Sequence, residues 1–360
     1  MRYIFFIQGE GRGHLTQALT LREKLEIRGH EVVAIIAGNS RNGLPDFFKE
    51  AVTAPIFLID SPGFIVDKKD EGIRTIASAL EAFRSSPRYF NSLKKIRSLV
   101  NEFQPDALVS FYEPLAGIYT RLWRDQRPLY CIAHQYFIAH PSWRFPNGDY
   151  AARSAFQFFN RLNAPTRAIK IALSFTAEKD QADKNLFIAP PLIRPVIKSQ
   201  ISKSGNFLLI YLLNSGYRRQ IFAWSKKHPN IKLEAFSTQT ANSEEMKNPA
   251  LTFHKLSGQK FINRLAACRA YISTAGFDSI AEAAYLGKNI FMVPTKGHFE
   301  QKCNAHDAKR AGLAQAAKDF ESALKAAEKQ TTHSRQSGLA FREWVDRYDD
   351  KVVLILEQKT

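Results

Sequence analysis

The chain has little cysteine and no long apolar run, and both shortages restrict what it can be. Its 360 residues include three cysteines, Cys131, Cys268 and Cys303, none of them in C-x-x-C spacing. This pattern suits a reducing compartment and argues against a disulfide framework or a structural zinc site. No apolar run reaches the roughly 18 residues that span a bilayer. Because an apolar strand pattern begins at Tyr3, we expect no signal peptide and a cytoplasmic protein.

Acidic residues are scarce relative to basic ones. The chain has 34 Asp and Glu against 51 Lys and Arg, a net charge of +17. No recognition motif for nucleic acid accompanies this charge, so we expect no nucleic-acid partner. Residues 151–177 contain Arg153, Arg161, Arg167 and Lys170 among phenylalanines and have no acid. This segment predicts either a peripheral contact with an anionic membrane or a helix with an apolar core face and a solvated basic face.

Apolar patterns of strand and helix alternate from the first residues. Strand patterns occur at 3–8, 31–37, 54–59, 107–111 and 129–133, and helical patterns at 15–28, 72–83 and 88–103. After a stretch with three prolines at 188–195, strand patterns follow at 207–213, 232–237, 270–273 and 289–293, and helical patterns at 218–227, 259–267 and up to 286.

This alternation predicts an α/β fold of two doubly wound, Rossmann-like domains that face each other across a cleft. The predicted domains are residues 1–190 and 191–339, because three closely spaced prolines cannot lie inside a helix or strand. Helices are expected from 339 to 357, and we expect the C-terminal helix, at about 340–360, to pack back on the first domain.

The first strand ends in a glycine-rich loop, G-E-G-R-G-H at residues 9–14. A dinucleotide site would have G-x-G-x-x-G and an acid after the second strand, and both are missing, so we expect no nicotinamide cofactor. Glycines such as Gly11 and Gly13 let a backbone approach a ligand. His14 begins a helix, whose dipole disfavours the charged imidazole and so helps it act as a general base.

A second small-residue turn, S-T-A-G-F at residues 273–277, follows an apolar strand pattern and opens a helix. Backbone N–H groups at such a turn form a site for a diphosphate, together with the helix dipole. Glu282 stands in the otherwise apolar helix, where a charge is costly to bury unless something hydrogen-bonds to it. Ribose hydroxyls would do so. The turn therefore predicts one half of a sugar-nucleotide site.

With His134-Gln135 after a strand, N-S-G at 214–216 and G-H-F-E-Q-K-C-N at 297–304, these motifs resemble those of GT-B glycosyltransferases. The pattern is most similar to family 28, whose best-known member adds N-acetylglucosamine to a lipid-linked intermediate of peptidoglycan synthesis. The resemblance spans nearly the full chain. It implies that the second domain binds a nucleotide sugar, most often UDP-linked, and that the first binds the acceptor.

The resemblance also implies roles for single residues. Glu282 would hold the ribose, His14 would be the catalytic base, and His134 would contact acceptor or donor. The remaining donor residues would be Thr274, Ala275, Gly276 and Phe277 along the diphosphate, Ser215 and Gly216 in a second phosphate loop, Leu256 beside the base, and Glu300 and Gln301 at the sugar hydroxyls.

The chemistry that follows is a single displacement with inversion at the anomeric carbon. Donors at a helix N-terminus can stabilise the leaving diphosphate, and the chain has no D-x-D pair, so we expect neither a metal nor a cofactor. The acceptor stays open, with a lipid-linked hydroxyl at the cell envelope as one hypothesis. Two alternatives also stay open, a UDP-sugar epimerase of the same architecture and a non-catalytic protein that binds nucleotide sugars.

Overall fold

The computed structural model describes residues 1–9, 11–39, 43–63, 85–212, 215–237, 243–330 and 335–358. They form two compact units. The first unit contains the described residues up to Leu192 and those from Arg347 onward, and the second contains Ile193–Asp346. The division between Leu192 and Ile193 lies within the proline-rich stretch.

The first unit is built on a parallel sheet with the order β3-β2-β1-β4-β5-β6-β7 within the described residues. The strands are β1 Arg2–Ile7, β2 Glu31–Gly38, β3 Ile56–Ile59, β4 Ala107–Phe111, β5 Leu129–Ile132, β6 Ile169–Leu173 and β7 Leu186–Ala189. The helices are α1 Gly13–Ile27, α2 Asp46–Ala51, α3 Ser86–Phe103, α4 Pro114–Leu122 and α5 Tyr150–Asn163. The central strands are buried almost throughout, as expected where helices cover both faces of a parallel sheet.

The second unit has a parallel sheet with the order β10-β9-β8-β11-β12-β13 within the described residues. The strands are β8 Phe207–Tyr211, β9 Lys232–Ser237, β10 Leu251–Lys255, β11 Ala270–Thr274, β12 Asn289–Val293 and β13 Gln315–Ala316. The helices are α6 Pro195–Lys198, α7 Arg218–Lys227, α8 Ser243–Met246, α9 Gly258–Ala267, α10 Phe277–Tyr285, α11 Phe299–Arg310, α12 Phe320–Lys329 and α13 Arg335–Arg347.

The last helix, α14 Lys351–Gln358, belongs to the first unit. Lys24 of α1 donates to the Asp349 carboxylate at 2.7 Å, just before this helix, and Arg28 donates to Glu357 at 3.1 Å. Tyr130 of β5 donates from its buried hydroxyl to the backbone carbonyl of Leu356 at 3.1 Å. The C-terminal helix therefore packs on the first unit. Among the described helices, none is both long and apolar enough to cross a membrane.

Most predicted elements are confirmed close to their predicted ends. The strands at 107–111, 232–237 and 289–293 and the helix at 218–227 have those bounds in the structure. The helix predicted at 72–83 lies outside the described residues. The C-terminal pattern is two helices, separated by residues 348–350.

Four strands are not predicted from the sequence. β7 directly precedes the prolines, β10 is an edge strand with only two apolar residues, and β13 is two residues long. β6 lies inside the segment 151–177, which is therefore not one continuous basic segment. Helix α5 ends at Asn163, just before Pro165, which cannot continue a helix. Phe175, expected among the exposed aromatics, is buried in the core.

Each sheet has one place where the strand order reverses. In the first unit this switch point lies between β1 and β4, where Ile7 is paired with Phe111. In the second it lies between β8 and β11, where Tyr211 is paired with Ser273. Ligands of doubly wound sheets bind outside the carboxyl ends of the strands at such a point. Both predicted loops, the one with His14 and the one with Gly276, begin at these strand ends.

Candidate functional site

The first switch point brings His14 against an aromatic cluster. The His14 ring stacks on the ring of Tyr112, with centroids 5.9 Å apart and planes 22° apart. Tyr112 directly follows β4 and has a left-handed backbone, φ 59°. The rings of Tyr136 and Phe159 meet Tyr112 edge-on at 5.7 and 6.2 Å. Tyr112 therefore covers one face of the imidazole and is itself held by these two rings.

His14 is held in its neutral form. Burial lowers its pKa from 6.5 to about 4, and the nearby Gln17 side chain offsets only part of this effect. Its Nδ1 atom is buried and has no hydrogen-bond partner among the described residues. A neutral imidazole with an unpaired nitrogen is the form that accepts a proton.

The backbone of the loop before His14 requires glycine at two positions. A Cβ at Gly9 would lie 1.7 Å from the carbonyl oxygen of Gly38, because the ends of β1 and β2 approach each other there. Gly11 has φ +80°, which favours glycine. The remaining glycine of the loop, Gly13, is the first residue of α1. The close approach seen at Gly9 is to backbone rather than to a ligand.

A buried acid that is not predicted from the sequence, Glu113, also lies at this switch point. Ser61 donates from Oγ to Glu113 Oε1 at 2.5 Å, and the Leu115 N–H donates to the same oxygen at 3.1 Å. The carboxylate thereby caps α4 and lies beside Gly38, whose added Cβ would be 3.0 Å from Oε2. An acid followed by Pro114 directly after a strand is the signal that could have revealed it.

His134 lies elsewhere, in the core of the first unit. Its Nδ1 is 2.7 Å from the carbonyl oxygen of Leu173, and its ring packs against Phe137, Trp143 and Phe175. The side chain is 3% exposed. These contacts give it a structural place, and a role in binding acceptor or donor stays a prediction.

The second switch point is an open helix N-terminus. Gly276 caps α10 without a side-chain hydrogen bond, and its φ of −72° is one that any residue adopts. A Cβ built on Gly276 would meet no atom within 4 Å among the described residues. Neither backbone conformation nor packing therefore requires glycine here. The empty space lies at the end of the helix that attracts anions.

Neighbouring elements hold this turn in place. Asn304 of α11 donates from Nδ2 to the carbonyl oxygen of Ala275 at 3.0 Å. Ser273 Oγ donates to the carbonyl oxygen of Tyr211 across the pair β8–β11 at 3.4 Å. Thr274, Ala275 and Phe277 are buried, so the turn presents mainly its backbone.

Glu282 has a partner that the sequence analysis does not assign to it. Arg194 donates from Nε to Oε1 at 2.6 Å and from Nη2 to Oε2 at 2.7 Å, a bidentate pair. The Glu282 side chain is 5% exposed, and that of Arg194 is 24% exposed. Burial lowers the pKa of Arg194, but the carboxylates of Glu282 and Asp278 raise it more, so the guanidinium stays charged.

The other predicted donor residues lie on the carboxyl side of the same sheet. Gln301 is buried in α11, and its Oε1 accepts a hydrogen bond from the backbone N–H of Thr295 at 2.8 Å. Glu300 is half-buried in the first turn of that helix. Leu256 is half-buried after the edge strand β10.

Ser215 and Gly216 begin the 3-10 turn Ser215–Tyr217, which precedes α7. Asn214 lies outside the described residues. Within the described part of the chain, no group of three or more His, Cys, Asp and Glu could hold a metal ion.

Comparisons with known proteins agree with this architecture. The model of a family described as glycosyl transferase family 1 matches residues 1–327. An uncharacterised glycosyltransferase of Methanosarcina acetivorans is 23% identical over 356 residues, which cover 85% of this chain and 82% of the relative.

Two solved structures are similar over nearly their whole length. Phytolacca americana UGT2, complexed with UDP-2-fluoro-glucose and pterostilbene, has a TM-score of 0.66 at 12% identity, covering 99% of this chain and 100% of that one. Acinetobacter baumannii MurG has a TM-score of 0.56 at 14% identity, covering 98% and 100%. These likenesses confirm the predicted GT-B fold class. The narrower resemblance to family 28 is not specifically confirmed, since the matching model is that of family 1.

Proposed function

The chain belongs to glycosyl transferase family 1, and on this premise we propose that it moves a sugar from a UDP-linked donor to an acceptor hydroxyl with inversion and without a metal ion. That it is a glycosyltransferase follows from its family and its relatives. The donor nucleotide, the stereochemistry and the roles of single residues are the proposal.

The open N-terminus of α10 carries this proposal. A diphosphate at Gly276 would receive backbone N–H groups and the positive end of the helix dipole, which is worth up to about 2 kcal/mol where partly buried. The second unit as a whole is basic, with 23 Lys and Arg against 12 Asp and Glu in residues 193–346. This excess favours a doubly charged ligand and its release as an anion.

In the proposed reaction, neutral His14 takes the proton of the acceptor hydroxyl while that oxygen attacks the anomeric carbon. The bond from the anomeric carbon to the diphosphate oxygen breaks, and its electron pair leaves with the diphosphate. The helix N-terminus at Gly276 stabilises the charge that develops there. One displacement inverts the anomeric carbon.

The sharpest test is Gly276→Ala. Because its backbone conformation is ordinary and the space beside it is open, the added methyl leaves the fold intact but occupies the place proposed for the diphosphate. We expect UDP binding, measured by calorimetry, to weaken at least tenfold. The matched control is Gly338→Ala in α13, where a Cβ would meet only the Cα of Gly287, at 4.0 Å. Unchanged UDP binding by Gly276→Ala would contradict the proposed site.

The two alternative functions are separate outcomes of a turnover assay. Isomerisation of UDP-N-acetylglucosamine without an acceptor would indicate an epimerase. Tight UDP binding with no transfer to a broad panel of acceptors would indicate a non-catalytic binding protein. Transfer to an acceptor with release of UDP, unaffected by a chelator of divalent metals, is the outcome that we expect.

We further propose a lipid-linked acceptor and a peripheral contact with an anionic membrane at the cell envelope. Helices α3, α4 and α5 pack side by side, and among their residues Glu102 is the one acid. Phe90, Leu122, Tyr150 and Phe158 are exposed on or beside them. Their exposed basic residues are Arg88, Lys94, Lys95, Arg97, Arg121 and Arg161. Basic side chains among exposed aromatics suit a surface of anionic lipid.

Sedimentation with vesicles tests this surface. We expect binding to vesicles that contain phosphatidylserine or phosphatidylglycerol, weaker binding at high salt, and loss of binding in a Lys94→Glu, Lys95→Glu, Phe158→Ser variant. The charge-matched control is Lys226→Glu, Lys227→Glu at the end of α7 in the second unit. Binding of the wild-type protein to nucleic acid but not to vesicles would overturn the assignment.

A further inference from the structure

The bidentate pair between Arg194 and Glu282 stands at the carboxylate proposed to hold the donor ribose. Arg194 is the residue just before the short helix α6, in the proline-rich stretch predicted as a linker. Both oxygens of Glu282 receive one hydrogen bond each from the guanidinium fork. The guanidinium also interacts electrostatically with Asp278 in the first turn of α10 and with Tyr211 at the end of β8. It therefore lies at the second switch point.

A buried carboxylate with such a partner is oriented as well as neutralised. A fork–fork pair fixes the plane of the carboxylate. Each carboxylate oxygen accepts up to two hydrogen bonds, and the fork uses one on each. One acceptor position on each oxygen therefore remains, and the two hydroxyls of a ribose can use them. Lysine could not replace the fork, since an ammonium is a point charge.

We propose that Arg194 is a positioning residue of the donor site, which turns the Glu282 carboxylate so that its two remaining acceptor positions meet the 2′ and 3′ hydroxyls of the donor ribose. This inference rests on the proposed function, because it assumes that Glu282 binds ribose. Arg194 acts through Glu282 and does not itself contact the sugar. The geometry distinguishes it from a cation that binds the diphosphate, since both bonded nitrogens point to Glu282.

The test compares binding of UDP and 2′-deoxyuridine diphosphate by calorimetry. We expect the wild-type protein to bind UDP about tenfold more tightly than the deoxy nucleotide, a difference of about 1.4 kcal/mol. Glu282→Gln reduces this ratio to about two or less. Arg194→Gln reduces it to the same value, although Arg194 has no contact with the ribose. Arg194→Lys keeps an intermediate ratio, and the double variant Arg194→Gln, Glu282→Gln is no worse than either single one.

The control is Lys198→Gln, which removes a second cation from the same short helix. Lys198 lies 3.9 Å from Asp346 and over the ring of Tyr285. The ratio should stay at its wild-type value. Thermal unfolding of each variant identifies any that fails to fold. If Arg194→Gln fails to fold, the double variant, which removes both charges, is compared with Glu282→Gln in its place.

Different failures have different meanings. If Arg194→Gln keeps the full tenfold ratio, the pair is only structural and the inference is wrong. If Arg194→Gln weakens the binding of UDP but changes neither the binding of uridine nor the ratio of UDP to 2′-deoxyuridine diphosphate affinity, Arg194 binds the diphosphate instead. The inference is then again wrong. If Glu282→Gln keeps the ratio, the ribose assignment fails. If the wild-type protein binds no nucleoside diphosphate at all, the proposed function itself fails.

Discussion

The two switch points have the same topology and differ in what fills them. At the first, Gly9 after β1 lies against Gly38 at the end of β2, and His14 stacks on Tyr112 after β4. At the second, the turn after β11 leaves open space at Gly276. In the proposed reaction the first would provide a neutral base in a partly desolvated place, and the second would provide backbone donors for an anion. The equivalent positions of the two sheets would then serve proton transfer and phosphate binding, depending on their side chains.

The two units also differ in net charge. Residues 193–346 have 23 basic and 12 acidic side chains, whereas the other 206 residues have 28 and 22. The excess is greater in the unit with the open helix terminus. A site for a nucleoside diphosphate benefits from such a field, and a site for a neutral hydroxyl does not need one.

The largest expected effect is on catalysis, and it distinguishes the first switch point from the second. His14→Ala should lower kcat by about 10² to 10⁴, the usual contribution of a general base. UDP binding should stay within twofold of wild type, because the base is not part of the proposed donor site. Steady-state kinetics and calorimetry measure the two quantities. Retention of full kcat would show that His14 is not the base.

The next effect tests how the first switch point is held together. Glu113→Ala leaves the Ser61 hydroxyl and the Leu115 N–H without their acceptor, and we expect a loss of about 2 kcal/mol in the free energy of unfolding. Asp319→Ala is the matched change in the second unit, at a more exposed cap that accepts from Ser322 N–H at 2.8 Å. It should cost about 1 kcal/mol. Urea denaturation measures both, and equal losses would contradict the role of burial at Glu113.

A smaller effect compares one substitution at both sites. Gly11→Ala forces a positive φ on an L-residue and should destabilise the protein by about 1 kcal/mol. Gly276→Ala should leave stability unchanged or raise it by up to about 1 kcal/mol, because it restricts the unfolded chain without strain. The two changes should therefore have opposite signs in thermal unfolding. A change in stability of the same sign at both positions would contradict this contrast, in which the backbone requires glycine at position 11 and the glycine at position 276 leaves room for a ligand.

The smallest effect concerns pH. Burial lowers the pKa of His14 to about 4 from an ordinary value of 6.5, so the unfolded chain binds a proton that the folded protein does not. The contribution of His14 to stability is therefore complete above pH 6.5 and is lost progressively as the pH falls towards 4. His14→Gln should flatten this part of the stability curve. A curve that stays equally steep in the variant would assign the loss to other groups.

Much of the fold follows from the sequence because strand and helix leave different apolar periods. Buried strands such as β4 and β12 are short, mainly apolar runs bounded by turns, and their bounds are predicted. β6, β7 and β10 are missed because a lysine, neighbouring prolines and an exposed edge obscure the same pattern. The turn at Gly276 and the loop before His14 are also predicted, since small residues between a strand pattern and a helix pattern indicate a turn.

By itself the sequence determined two α/β domains, both switch-point loops and the positions of His14, Gly276 and Glu282 in or after those loops, because these depend on local pattern. Only the tertiary structure decided which side chains lie against these residues. Arg194 is 88 residues from Glu282, and Tyr112 follows β4 whereas the loop of His14 follows β1. Such pairs have no local signal, since they form when the order of strands in a sheet brings distant chain segments to one edge.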